Sequence, residues 1–203
     1  MHDPARPLRV LIACEFSGIV RDAFRKLGHD AWSCDLLPCE RDPAYHIQGD
    51  VLEILNDRWD MMIAHPPCTY LCRNRARQNS IEDRTEDIRK AYEFFMQFYN
   101  APIPRICVEN PVPAKVIGFP QYSQIIQPWY FGHDHSKKTC LWLKNLPLLK
   151  STNIIQITYI TTKRGFRYTR GWYEMPRTSI ARSRTFPGIA QAMADQWGGV
   201  PDA

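Results

Sequence analysis

An α/β fold with a mostly parallel sheet is what this sequence predicts, and three observations predict it. Short apolar runs rich in β-branched residues alternate with stretches of helical periodicity from residue 8 to residue 108. Most of these runs close on a turn containing glycine, proline or an acid. Between Ile125 and Leu149 the pattern becomes strand-rich, which predicts an antiparallel hairpin late in the chain.

The elements follow in order. Leu8–Cys14 (LRVLIAC) predicts a buried strand, Glu15-Phe16-Ser17-Gly18 a tight turn, and Ile19–Leu27 a helix whose apolar residues recur at helical spacing. Gly28 stands where a C-cap glycine ends a helix, and Asp30–Asp35 (DAWSCD) predicts a second strand finishing on a carboxylate. A loop rich in proline and charge leads through Tyr45–Val51, which contains Gly49-Asp50, to a short helix. Asp60–Ala64 (DMMIA) is then a buried strand ending at His65-Pro66-Pro67-Cys68. From Ile81 to Asn100, residues Ile88, Ala91, Tyr92, Phe95, Phe98 and Tyr99 share one face, which predicts an amphipathic helix. Arg105–Val108 is a strand ending at Glu109-Asn110-Pro111, and Pro187–Trp197 is a closing helix. Residues 150–183 are polar, basic and aromatic with no clear period.

At 203 residues with 44% hydrophobic content, the chain suits one domain spanning 1–203 with 150–183 as a short excursion. Its 26 basic against 21 acidic residues give a net charge of +5, compatible with phosphate-bearing partners and equally with a solvated surface. Seven cysteines, an odd number with several inside apolar strands, predict a reducing compartment rather than a disulfide scaffold. No apolar signal region opens the chain and no run approaches the roughly 18 apolar residues of a membrane span, so a soluble cytoplasmic protein is expected.

Alternation of this kind gathers ligands at the carboxyl ends of the strands, where the chemistry-bearing residues fall. Gly18 permits close backbone approach at a helix start that would offer free N–H groups. Asp35, at a strand tip, suits ribose hydroxyls, and Asp50 suits an adenine amino group. Pro66-Pro67 fixes two φ angles directly before Cys68, which presents the thiol rather than packing it. Nearby Arg73, Arg75 and Arg77 could lower its pKa and hold phosphate, and read equally as an exposed basic loop. Glu109 ends the neighbouring strand as a carboxyl that burial can keep partly protonated. A zinc site assembled from His65, Cys68, Cys72, His133 and His135 is the weaker reading, because no Cys-x-x-Cys knuckle occurs.

On these residues the chain resembles the cytosine-C5 DNA methyltransferase family over nearly its whole length. Phe16-x-Gly18 looks like that family's cofactor motif, Pro66-Pro67-Cys68 its catalytic loop, and Glu109-Asn110-Pro111 its Glu-Asn-Val motif. The resemblance implies a class I methyltransferase fold binding S-adenosylmethionine through Glu15, Phe16, Ser17, Gly18, Asp35, Leu36, Asp50, Val51 and Pro66. It implies Cys68 as the nucleophile toward C6 of cytosine and Glu109 as the group at N3 and the exocyclic amine. The base would be flipped from duplex DNA. Pro67, Asn110, Arg73, Arg75, Lys137, Lys138, Arg164 and Arg167 would contact substrate, with no metal. Lys137-Lys138 occupies the place of an arginine-rich motif, and Pro187–Trp197 resembles the helix that completes the cofactor pocket.

Three departures mark this chain. Cys14 and Val20 replace an acid and a second glycine of the cofactor motif, so that Glu15 is expected to compensate. Glu-Asn-Pro replaces Glu-Asn-Val. Only about thirty residues, 150–183, stand where the family carries a large target-recognition region. That brevity suggests relaxed specificity, a single-stranded or mononucleotide substrate, or a partner protein supplying recognition. Small members of the family occur in phage and mobile elements, in which case the host cytoplasm is the expected location. Two rival readings are modification of a free pyrimidine nucleotide, or transfer of a group other than methyl, on the same fold. A third is a nucleic-acid-binding or inhibitory module on a decayed methyltransferase fold.

Overall fold

The computed structural model describes residues 6–72 and 85–199. Among these, β1 (Arg9–Ala13), β2 (Asp30–Asp35), β3 (His46–Gln48), β4 (Met61–Ala64), β5 (Arg105–Pro111), β6 (Gln124–Ile126) and β7 (Thr139–Lys144) form a seven-stranded sheet. Its order is β3-β2-β1-β4-β5-β7-β6. The first five strands are parallel, and β7 runs antiparallel to both β5 and β6. Helices α1 (Ile19–Lys26) and α2 (Thr85–Tyr99) follow β1 and β4 in the chain, and α5 (Pro187–Trp197) closes it. Between β7 and α5 lie a hairpin of β8 (Tyr159–Thr161) with β9 (Arg167–Thr169) and two short helices, α3 (Arg170–Glu174) and α4 (Ser179–Ser183).

The two-residue period of β1 sorts its side chains into two cores. Val10 and Ile12 join Phe24 of α1 and Ile189, Met193 and Trp197 of α5 on one face. Leu11 and Ala13 join Met62, Phe95, Phe98 and Trp142 on the other. Burial on both faces is the reason the strands read as continuous apolar runs. Phe24 is wholly buried, so truncating it to alanine would cost about 3–5 kcal/mol.

Three boundaries differ from expectation. The Glu109-Asn110-Pro111 island lies inside β5 rather than beyond it, because antiparallel β7 extends the ladder, pairing Glu109 with Leu141 and Pro111 with Thr139. The helix expected from Ile81 is described from Thr85 onward, its first four positions lying outside the described residues. The short helix after Asp50 is a single 3-10 turn, Val51–Ile54, capped by the Asp50 carboxylate. No helix among the described residues is long and apolar enough to cross a membrane.

Candidate active site

Three links stitch the carboxyl ends of β4 and β5 together. His65 Nδ1 hydrogen-bonds Glu109 Oε2 at 3.0 Å. The Asn110 amide donates to the Pro66 carbonyl at 2.8 Å, and the Ala114 N–H to the Leu71 carbonyl at 3.0 Å. The parallel register that pairs Ala64 with Val108 sets the next residues, His65 and Glu109, side by side. Their side chains are only 9% and 16% exposed.

Burial pushes the Glu109 carboxyl up, but the His65 hydrogen bond and the Lys137 charge outweigh it and hold Glu109 below its ordinary value. The expectation of a partly protonated acid is therefore corrected: Glu109 is an ionised carboxylate, because the fold supplies a donor and a cation that burial alone would not. An ionised oxygen only accepts, so His65 carries its proton on Nδ1. His65 Nε2 is buried with no hydrogen-bond partner among the described residues.

Cys68 opens a tight turn, its carbonyl accepting from the N–H groups of Leu71 and Cys72. Its thiol is pushed well up by a hydrogen bond to Cys72, by burial, and by the charges of Cys72 and Glu109, with Lys137 alone pulling it down. These described neighbours hold the sulfur toward its protonated form. Arg73, Arg75 and Arg77 themselves lie outside the described residues. Pro66 is buried and Pro67 exposed. Asn110, expected at the substrate, is 2% exposed and holds the Pro66 carbonyl, so it serves as a strut between the two islands.

Beside this pair lies a cleft whose walls include His65, Glu109, Lys137, Thr139, Arg184, Thr185, Phe186 and Met193. Cys68 is not part of that wall. Lys137 reaches the cleft while its Nζ also donates to the Arg182 carbonyl at 3.1 Å. Lys138 is exposed and outside the wall. Sequence reasoning missed His65 as a partner of Glu109, and Phe186 and Met193 as cleft wall. The histidine directly before the double proline was the signal available.

The other half of the strand ends carries the expected cofactor residues. Glu15 is 4% exposed, and its carboxylate accepts from the N–H groups of Val20 at 2.8 Å and Arg21 at 3.2 Å and from the Ser17 hydroxyl at 3.1 Å. The free N–H groups expected at the start of α1 are thus already taken in part, since a carboxylate is favoured at the positive end of a helix. Glu15 caps α1 rather than replacing the acid missing at Cys14, and Ser17 is buried with it. Gly18 has φ of 68°, and a Cβ there would crowd the Arg21 guanidinium at 2.7 Å. Phe16 is half-buried, its carbonyl accepting from the Glu40 N–H.

Asp35 uses one oxygen to accept from Leu37 N–H at 2.9 Å, and Asp50 accepts from Leu52 N–H at 3.0 Å. Leu36 stands out at 73% exposure, whereas Val51 is buried. Cys14, at φ 57°, sits near both acids; burial and then the Asp35 charge push its thiol up. Arg164 and Arg167 lie away from the cleft on the β8–β9 hairpin, where Arg167 covers the Tyr159 ring at 3.8 Å. His133 and His135 pack on Phe186, and His133 Nε2 accepts from the Gly188 N–H at 2.9 Å, which fixes the start of α5.

No family model and no curated protein matches the chain. Among solved structures it is similar to one described as a candidate DNA modification methyltransferase encoded within an E. coli prophage, at 14% identity and a TM-score of 0.46. The match covers 74% of this chain and 53% of that one, so the chain spans about half that structure's length.

Proposed function

We propose that this chain is an enzyme that methylates C5 of cytosine in DNA with S-adenosylmethionine, through a covalent bond from Cys68 to C6. The observation that carries this reading is the stitched pair of strand ends, which holds Glu109 below its ordinary value and within Coulomb range of a Cys68 thiol held above its own. When bound, the cofactor supplies a methyl group on a sulfonium, electrophilic enough for a carbon nucleophile. Asp35, Asp50 and Leu36 are the residues assigned to its ribose and purine.

Because the thiol is held toward its protonated form, attack requires that proton to leave. In this reading Glu109 takes it, as a nearby carboxylate whose Oε2 is held by His65 and whose Oε1 serves the ring edge. Handing the proton on to N3 balances the step: sulfur bonds to C6, N3 gains hydrogen, and the electron pair moves to C5. Lys137 offsets the negative charge that builds beside it. After C5 is alkylated, a water molecule takes its proton, the C5–C6 double bond re-forms as the Cys68 sulfur leaves, and the N3 proton returns through Glu109 to that sulfur.

The test is incubation with labelled cofactor and duplex DNA, single strands or dCMP, together with DNA carrying 5-fluorocytosine. A denaturation-stable adduct that disappears in Cys68→Ala is expected. No transfer to any substrate, with wild type and variant alike, overturns the reading, and mass spectrometry of the product separates methyl from another group.

One rival keeps a specific observation behind it. Glu15 already fills the helix start and Cys14 replaces the acid, which favours a nucleic-acid-binding module without the cofactor. Calorimetry showing DNA binding and no affinity for S-adenosylmethionine would select it.

A further inference from the structure

A second pocket lies outside the cleft. Its walls are Tyr168 from β9, Trp172 and Tyr173 from α3, Arg177, and Arg182 from α4, around an open cavity of about 140 Å³. Three aromatic side chains and two guanidinium groups line it. Arg182 lies over the Trp172 ring at 4.8 Å. Tyr168 and Tyr173 are 38% and 42% exposed. The nearby acid, Glu174, is turned to Arg170 at 3.3 Å, so its charge is spent outside the pocket.

The pocket is bolted to the body of the protein. Gly171 donates to the Asp134 carbonyl at 3.0 Å, and any Cβ at Gly171 would collide with that same oxygen. The Asp134 carboxylate accepts from the Thr158 N–H at 2.9 Å and from its hydroxyl. Buried Thr169 accepts from the Ser136 N–H at 3.3 Å. Residues 134–136 lead directly to Lys137, which touches both the Arg182 carbonyl and the cleft. Arg184, two residues past Arg182, lines the cleft and pairs with both oxygens of Glu40 at 2.6 and 2.7 Å. The two pockets therefore flank one short, anchored stretch of chain.

We infer that this aromatic and arginine pocket takes a nucleotide flanking the target on the same DNA strand. The base stacks against the exposed, mutually packed rings of Tyr168 and Tyr173, whose centroids are 6.4 Å apart, while Arg177 and Arg182 hold phosphate. Stacking needs no hydrogen-bond readout, so a region of some thirty residues can grip a strand without selecting much sequence. The inference rests on the function proposed above, in that it takes DNA as the substrate.

Fluorescence anisotropy with a labelled cytosine-containing oligonucleotide, run beside the methyl-transfer assay on the full chain, tests it. Tyr173→Ala should weaken DNA binding by about tenfold, as expected for one lost stacked base, while Tyr173→Phe keeps it. Arg177→Gln should lower the salt dependence of binding by about one phosphate contact. Both side chains are exposed, so the fold should survive, and circular dichroism checks that. If wild type binds DNA, Tyr173→Ala and Arg177→Gln bind it more weakly, and no methyl is transferred, the pocket assignment stands and the proposed chemistry falls. If wild type transfers methyl and these variants bind and react as it does, the pocket assignment falls alone. Absence of DNA binding by wild type overturns it as well.

Discussion

The two halves of the sheet's carboxyl edge use their acids in opposite ways. On the β1–β3 side, Glu15, Asp35 and Asp50 each accept from backbone N–H groups, so their charges are largely spent on holding turns and a helix start. On the β4–β5 side, Glu109 leans on a histidine side chain, and the buried His65 Nε2 and Asn110 Oδ1 have no partner among the described residues. Buried polar atoms left unpaired cost stability, and a fold retains them where something else is served. The difference separates acids tied to backbone N–H groups from an acid tied to a side chain beside buried polar atoms without a partner among the described residues.

The largest effect that would sharpen the contrast is catalytic. Glu109→Gln should lower methyl transfer by about 10²–10⁴-fold, the usual contribution of a positioned acid or base, while costing no more stability than one hydrogen bond to a charged group, about 1.5–3 kcal/mol. Equal loss of stability would erase the distinction. Next in size, His65→Ala removes a hydrogen bond to a charged group, about 1.5–3 kcal/mol, and should slow transfer about 10- to 150-fold in steady-state assays.

The β1–β3 side predicts the reverse pattern. Glu15→Ala leaves two N–H donors of α1 without their carboxylate and should cost about 1–3 kcal/mol, read as a fall in the thermal midpoint. Acid titration gives a further difference. Glu109 lies below its ordinary value of 4.5 in the folded chain, so its stabilisation is complete above that value and is lost as pH falls through the lowered one. The gap in urea midpoint between wild type and Glu109→Gln should therefore narrow in acid. Smallest of all, Leu36→Ser on the exposed tip should change stability by less than about 0.5 kcal/mol while weakening S-adenosylmethionine binding in calorimetry.

Much of this edge was legible before any coordinates. Period-two and helical patterns placed Asp35, His65 and Glu109 at or just past strand ends, and the double proline marked the turn that carries Cys68. What each group does there was not legible. Glu15 reads as a spare acid beside the cofactor turn, yet its distance to Val20 and Arg21 N–H groups makes it a helix cap. Asn110 reads as a substrate contact, yet its reach to Pro66, 44 residues earlier, makes it a strut.

By itself the sequence determined the alternation of strand and helix, the burial of the sheet on both faces, and which residues stand at its carboxyl edge. These follow from local periodicity and from the turn preferences of glycine and proline. Only the tertiary structure decided that Glu109 is ionised, that its described neighbours hold Cys68 toward its protonated form, and that an aromatic pocket is anchored beside the cleft. Each depends on which distant side chains the strand register brings within hydrogen-bond or Coulomb range, and that proximity is not encoded in any one segment.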